Sequence, residues 1–144
     1  MKPYLLDTNV LIALAWPSHL HHGQAQRWFA KRRAAGFRTC PLTQTGFVRI
    51  SSNPRFTADA VPPKQALALL DRITALAGHG FWPDHLPLNR AIGKEDLIVG
   101  HRQITDAYLL ALAIARKGRL ATLDRGVLSL PAASPEVVEL VQEF

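Results

Sequence analysis

The chain has 144 residues, 48% hydrophobic and 19% charged, with a net charge of +6. That length fits one domain, 1–144, able to bury a real hydrophobic core, and the composition excludes a disordered chain, a collagen-like repeat and a disulfide scaffold. The charge is uneven: residues 1–58 hold one acid, Asp7, and eight bases for a balance of +7, whereas residues 59–144 sum to −1.

Tyr4-Leu5-Leu6 is a short apolar run ended by Asp7-Thr8-Asn9, which reads as a buried strand and a turn. Thr8 or Asn9 then caps a helix over Val10–Ala15 that stops before Pro17. A second helix runs from about His21 to Arg33, with Ala25, Trp28 and Phe29 as its apolar stripe and Gly36 as its stop. Phe37–Cys40 reads as a second strand. Thr43 caps a third helix that carries Phe47, Val48 and Ile50 and ends at Asn53-Pro54. Pro62-Pro63 opens a fourth helix, to about Ala77, with Leu67, Leu70, Ile73 and Ala77 as its stripe.

Phe81-Trp82 reads as a third strand. Residues 83–103 hold two prolines and two glycines and give no clear periodicity. Thr105 caps a helix dense in apolar positions, closed by Arg116-Lys117-Gly118. Leu120–Leu123 is a fourth strand, and a helix from about Pro135 to Val141 completes the chain. Short apolar strands alternating with helices predict an α/β/α sandwich around a short parallel sheet.

Cys40 is the lone cysteine, the usage of a reducing compartment. The start, Met-Lys-Pro-Tyr, lacks the pattern of a secretory leader. No apolar run approaches the roughly 18 residues that span a membrane. The cytoplasm is the expected location. The basic half points to an anionic partner, nucleic acid above all, against the plainer reading of a solvated basic face.

Three acids occupy unusual places. Asp7 ends the first strand, Asp124 ends the fourth, and Asp106 sits in the first turn of the helix capped by Thr105. Ligands of open parallel sheets bind at the C-terminal strand edge, where these three acids can meet. Clustered carboxylates repel and need a cation. All-oxygen ligands suit Mg²⁺ or Mn²⁺ better than zinc. A metal held there beside a basic surface suits phosphodiester hydrolysis by an activated water. Singly, each acid also has a plain structural reading as a cap or a dipole partner.

Leu5–Leu14 (LLDTNVLIAL), Thr105–Ala113 (TDAYLLALA) and Leu120–Gly126 (LATLDRG) together resemble PIN domains. His21-His22 through Trp28-Phe29, with Thr43–Arg49 (TQTGFVR), resembles the VapC-type toxins of bacterial toxin–antitoxin pairs. The resemblance implies a Mg²⁺-dependent endoribonuclease acting on structured RNA such as tRNA or ribosomal RNA. It also implies a small antitoxin partner and a homodimer. By motif match, Asp7 and Asp106 would bind metal, Asp124 would complete the acidic cluster, and Asn9 and Thr122 would support it. The family usually adds a glutamate in the 43–46 stretch; here Gln44 and Gly46 stand there, and no acid lies between Asp7 and Asp59. Gln44 offers an amide oxygen without charge. Glu95 or Asp96 is the substitute candidate.

Arg49, Arg55, Arg102 and Arg125 are candidate phosphate contacts. His19, His21 and His22 read as surface or capping residues, since zinc needs converging ligands. Trp28, Phe29 and Trp82 read as core before base-stacking platforms. Two other functions compete. One is a weakened PIN module that binds RNA or antitoxin without cutting. The other is a phosphoacceptor aspartate, as in receivers or haloacid-dehalogenase-like phosphatases. The second is disfavoured because Asn9 stands where the phosphatase pattern wants an acid and the late strand has no lysine.

Overall fold

A computed structural model describes residues 1–93 and 100–142. Glu95 and Asp96 lie outside the described residues. Five parallel strands form one sheet in the order β3-β2-β1-β4-β5: β1 Tyr4–Leu6, β2 Phe37–Thr39, β3 His79–Phe81, β4 Arg119–Thr122 and β5 Val138–Leu140. The helices are α1 Thr8–Ala15, α2 His22–Arg32, α3 Pro41–Ser51, α4 Pro63–Thr74, α5 Leu88–Ala91 and α6 Ile104–Ala115.

The pleat of the central strand divides the core. Side chains alternate across a strand, so Tyr4 and Leu6 join one apolar cluster with Val10, Leu11, Trp28, Phe37 and Phe47. Leu5 joins the other, with Trp82, Leu109, Leu112, Leu120 and Val138. Helices α1 to α4 supply the first layer and α6 the second, giving the expected α/β/α sandwich. Among the described residues no helix is long and apolar enough to cross a membrane.

Several local expectations need correction. The segment Pro135–Val141 is not a helix: Val138–Leu140 pairs in parallel with Leu120–Thr122. Glu139 fastens this edge, accepting from Trp28 Nε1 at 2.7 Å and Arg32 Nε at 2.9 Å. Helix α1 begins at Thr8, and Asp7 caps it by accepting from the Thr8 N–H at 2.8 Å. Helix α3 begins at Pro41 after Cys40, so Thr43 lies inside the first turn, where its hydroxyl accepts from the Cys40 N–H at 3.0 Å. Gln103, not Thr105, precedes α6. In α4 the buried residues are Ala66 and Leu70, while Leu67 is 51% exposed.

The end of α6 assigns its residues differently from the sequence reading. Lys117 takes the left-handed conformation at φ 58°, and the Gly118 N–H reaches back to the Ala113 carbonyl at 2.8 Å. Gly118 is required for space: a Cβ there would stand 2.6 Å from the Trp82 ring and 2.8 Å from the Pro3 carbonyl oxygen.

Candidate metal centre

Asp7 follows the last residue of the central strand, and its N–H continues the ladder to the Ala121 carbonyl at 2.9 Å. The side chain is therefore delivered to the C-terminal edge of the sheet, 6% exposed. A carboxylate buried so deeply needs donors. Oδ1 accepts from the Thr8 N–H at 2.8 Å and Oδ2 from the Thr122 hydroxyl at 2.7 Å. Thr122 is the last residue of β4. Its Oγ1 also accepts from the Asp124 N–H at 3.1 Å and lies 3.5 Å from Asn9 Nδ2. Asn9 Oδ1 accepts from the Leu123 N–H at 3.2 Å. Asp124 Oδ1 in turn accepts from the Gly126 N–H at 2.8 Å. One network thus joins Asp7, Asn9, Thr122 and Asp124.

Asp106 approaches from the other layer, in the first turn of α6. Its carboxyl is raised to about 6, first by burial, then by the charges of Asp7 and Asp124. Burial also raises Asp7, against the Thr122 and Thr8 hydrogen bonds that lower it, with Asp124 adding a smaller upward push. The three acids therefore share one electrostatic environment. Among the described residues, none of them has a salt-bridge partner and no hydrogen bond reaches the Asp106 carboxyl.

The donors at this edge are carboxylate, amide and hydroxyl oxygens, a set that suits a hard divalent cation rather than zinc. Among the described residues, no three His, Cys, Asp or Glu side chains are gathered closely enough to hold a metal ion by themselves. Asp7 and Asp124 are turned to protein donors instead. The donor chemistry fits a cation, while the acids do not form a closed cage.

The remaining candidates are spread out. Gln44 is half-buried, and its Nε2 donates to Thr39 Oγ1 at 2.9 Å. Gly46 packs against α1, where a Cβ would meet Thr8 Oγ1 at 2.8 Å. The 43–46 stretch therefore brings no charge to the acids. Arg49, Arg55, Arg102 and Arg125 are all exposed, and no side-chain hydrogen bond or ion pair joins them to another described residue. Arg125 adjoins Asp124, and Arg102 lies in the short turn before α6. Much of the other basic charge is elsewhere: Lys2, Lys31, Arg32 and Arg119 line a cavity with Glu139 near the N-terminal ends of β1 and β4.

The histidines serve backbone turns. His19 Nδ1 accepts from the His21 N–H at 3.0 Å, and His22 Nδ1 lies 2.8 Å from the Ala13 carbonyl. Trp28 and Trp82 are core residues, 1% and 8% exposed. Sequence reasoning missed a cavity of about 390 Å³ with Asn9 in its wall. Its other walls come from three separate segments, so no local pattern marks it.

The PIN-domain profile matches residues 4–132, nearly the whole fold just described. The chain belongs to the PIN-domain family. Among curated relatives, this PIN domain is 46% identical to Ribonuclease VapC39 of Mycobacterium tuberculosis over 138 residues, covering 95% of this chain and 98% of that protein. It is 45% identical to Ribonuclease VapC38 of the same organism, covering 95% and 96%. These relatives make it a VapC-type PIN domain. A crystal structure of VapBC2 from Rickettsia felis, bound to a DNA fragment from their promoter, superposes with a TM-score of 0.64 at 15% identity, covering 95% of this chain and 97% of that one. That likeness speaks for the fold.

Proposed function

We propose that this PIN domain, acting as one unit over residues 1–144, is the toxin of a toxin–antitoxin pair and an endoribonuclease that hydrolyses RNA with a divalent cation. The observation that carries the reading is the hydrogen-bond network that joins Asp7, Asn9, Thr122 and Asp124 at the C-terminal sheet edge, with the charges of Asp7 and Asp124 adding to burial in raising Asp106. It is joined by relatives named as VapC ribonucleases. Asp7, Asp106 and Asp124 would hold Mg²⁺ or Mn²⁺. When bound, the ion supplies charge that lowers the pKa of a water and offsets the negative charge developing at phosphorus.

The chain's own residues do the positioning. Thr122 fixes Asp7 Oδ2, the Thr8 N–H fixes Oδ1, and Asn9 ties the end of β4 to the first turn of α1. Exposed Arg125 and Arg102 flank the acids in sequence and would meet the RNA backbone, with Arg49 and Arg55 as further contacts. Structured RNA such as tRNA or ribosomal RNA is the proposed substrate. A small antitoxin as inhibitor, a homodimer and a cytoplasmic setting complete the proposal.

Incubation of the purified protein with total RNA tests it, with Mg²⁺ or Mn²⁺, with chelator, and beside Asp7→Asn. Cleavage should require both the metal and Asp7. Cleavage that survives chelation or Asp7→Asn overturns the mechanism. RNA that is bound but left intact supports the second reading, a weakened binding module. That reading is favoured by Gln44, whose neutral amide is engaged with Thr39 where the family usually places a carboxylate.

A further inference from the structure

The cavity beside Asn9 is not used by the chemistry above. Its walls come from α1 (Asn9, Ile12), the segment after it (Trp16, His19), the end of α3 (Ile50) and the turn beyond it (Phe56). We propose that this cavity is a subsite for one nucleobase of the RNA substrate, an inference that rests on the ribonuclease reading and names how its site selects RNA.

Position argues for it first. Asn9 belongs both to the cavity wall and to the network that holds Asp7, through Leu123 and Thr122. In a polynucleotide a base is one ribose away from its phosphate. A phosphodiester lying at the acids therefore has a neighbouring base within reach of the Asn9 wall.

Chemistry argues second. Among the described residues, no Asp, Glu, Lys or Arg lines the cavity. A neutral lining suits the uncharged part of a nucleotide. The volume, about 390 Å³, falls within the roughly 300–1,000 Å³ of small-ligand pockets. Trp16 is half-buried, and its Nε1–H is already donated to Ser51 Oγ at 3.0 Å, so the ring is held as an apolar platform. His19 Nδ1 accepts from the His21 N–H, which in the neutral ring leaves Nε2–H as a donor for a base acceptor. Burial, then the neighbouring His21 and His22 charges, hold His19 below the usual histidine range, so the ring stays neutral near pH 7.

Phe56 argues third. It is 69% exposed on the rim. It stands on a short turn whose Phe56 N–H donates to the Asn53 carbonyl at 3.0 Å and whose Arg55 N–H donates to Asn53 Oδ1 at 2.9 Å. A ring displayed this way offers a planar ligand a face to stack on.

The test follows the Trp16 indole N–H by NMR, assigned with Trp16→Phe, during titration with adenosine, guanosine, cytidine and uridine. N-acetylphenylalaninamide serves as a probe of a protein side chain. At least one nucleoside should shift the resonance, and Phe56→Ala should weaken that binding about tenfold, the scale of one base stack. On RNA the same variant should raise KM by a similar factor, with a smaller change in kcat and an altered base preference at the cut. Its melting temperature should stay near wild type, since the side chain is mostly exposed. The proposal is overturned if no nucleoside binds and Phe56→Ala leaves KM and base preference alone. It is also overturned if N-acetylphenylalaninamide binds more tightly than every nucleoside, which would assign the cavity to a protein partner. Nucleoside binding in a wild-type protein that cuts no RNA keeps the base subsite and removes the ribonuclease reading instead.

Discussion

The Thr122 hydroxyl donates to Asp7 Oδ2 at 2.7 Å, joining residues 115 apart in the sequence across the two central strands. Among the described residues it is the one side-chain donor on a carboxylate that burial pushes toward protonation. Thr122→Val keeps the shape and removes the donor. Leaving a buried acceptor unpaired costs about 1–3 kcal/mol of stability, and loss of a ligand-orienting partner costs roughly 10–100-fold in metal affinity or activity. Denaturant unfolding and RNA cleavage measure the two effects, and Thr122→Ser should restore most of both. A Thr122→Val protein with wild-type cleavage would remove Thr122 from the site.

Asp106 gives a pH prediction with a defined sign. Its carboxyl titrates at about 6 in the fold against 3.8 for the ordinary group. Between those values the native state holds a proton that the unfolded chain has released, so stability from this group falls as pH rises through the window. In chelator, Asp106→Asn should therefore gain stability over wild type between pH 4 and 7, with the gain levelling off above. Asp7, also raised, has the same sign. His19 and His79, both held low by burial, lose stability as pH falls through the usual histidine range. The comparison must therefore be the difference between variants, followed by thermal melting. A flat difference would mean that Asp106 does not share the acidic cluster.

Gly46 tests the close approach of α3 to the Thr8 side chain at the start of α1. Glycine inside a helix costs about 1 kcal/mol relative to alanine, so the swap would normally stabilise. Here a Cβ would lie 2.8 Å from Thr8 Oγ1 and 3.0 Å from Thr8 Cγ2. Overpacking of this kind costs about 1–3 kcal/mol, so Gly46→Ala should lower the melting temperature. Adding Thr8→Ala should recover the loss. A Gly46→Ala protein that melts higher than wild type refutes the tight approach.

Glu139 tests the edge strand. It accepts from Trp28 and Arg32 and stands 3.6 Å from Arg119. Glu139→Ala leaves the buried Trp28 N–H without an acceptor, a cost of about 1–3 kcal/mol. Unfolding in urea should show that loss, while RNA cleavage at permissive temperature stays close to wild type because the Glu139 carboxylate bonds Tyr4, Trp28 and Arg32 and none of the three acids. Equal stability would mean that β5 is held by its ladder and apolar contacts alone.

These elements were unequally legible in the sequence. Tyr4-Leu5-Leu6-Asp7 could be read because a buried parallel strand leaves an unbroken apolar run, here ended by an acid. Thr122 could be placed by motif, but its part as the hub that joins Asp7, Asn9 and the Asp124 N–H needs the register of β1 against β4. The stretch 135–141 misled because its local pattern tolerates a helix. Pairing with Leu120–Thr122 decides for a strand, and that contact is invisible to any local window. Helix α5 has only four residues, too few for a periodic signal. The charge asymmetry was real in the sequence, yet three of the eight bases of residues 1–58, Lys2, Lys31 and Arg32, gather by Glu139 and not at the acids. The cavity stayed hidden because Trp16, His19 and Phe56 meet only after α1 and α3 have packed.

The strand order has a consequence for synthesis. The central strand β1 is made more than 110 residues before its neighbour β4. Until then β1 is a half-paired edge, and Asp7 lacks Thr122, Asp106 and Asp124. A ribosome-bound chain that stops short of β4 cannot assemble the acidic edge. A complete acidic edge therefore forms only once the residues through Asp124 have emerged.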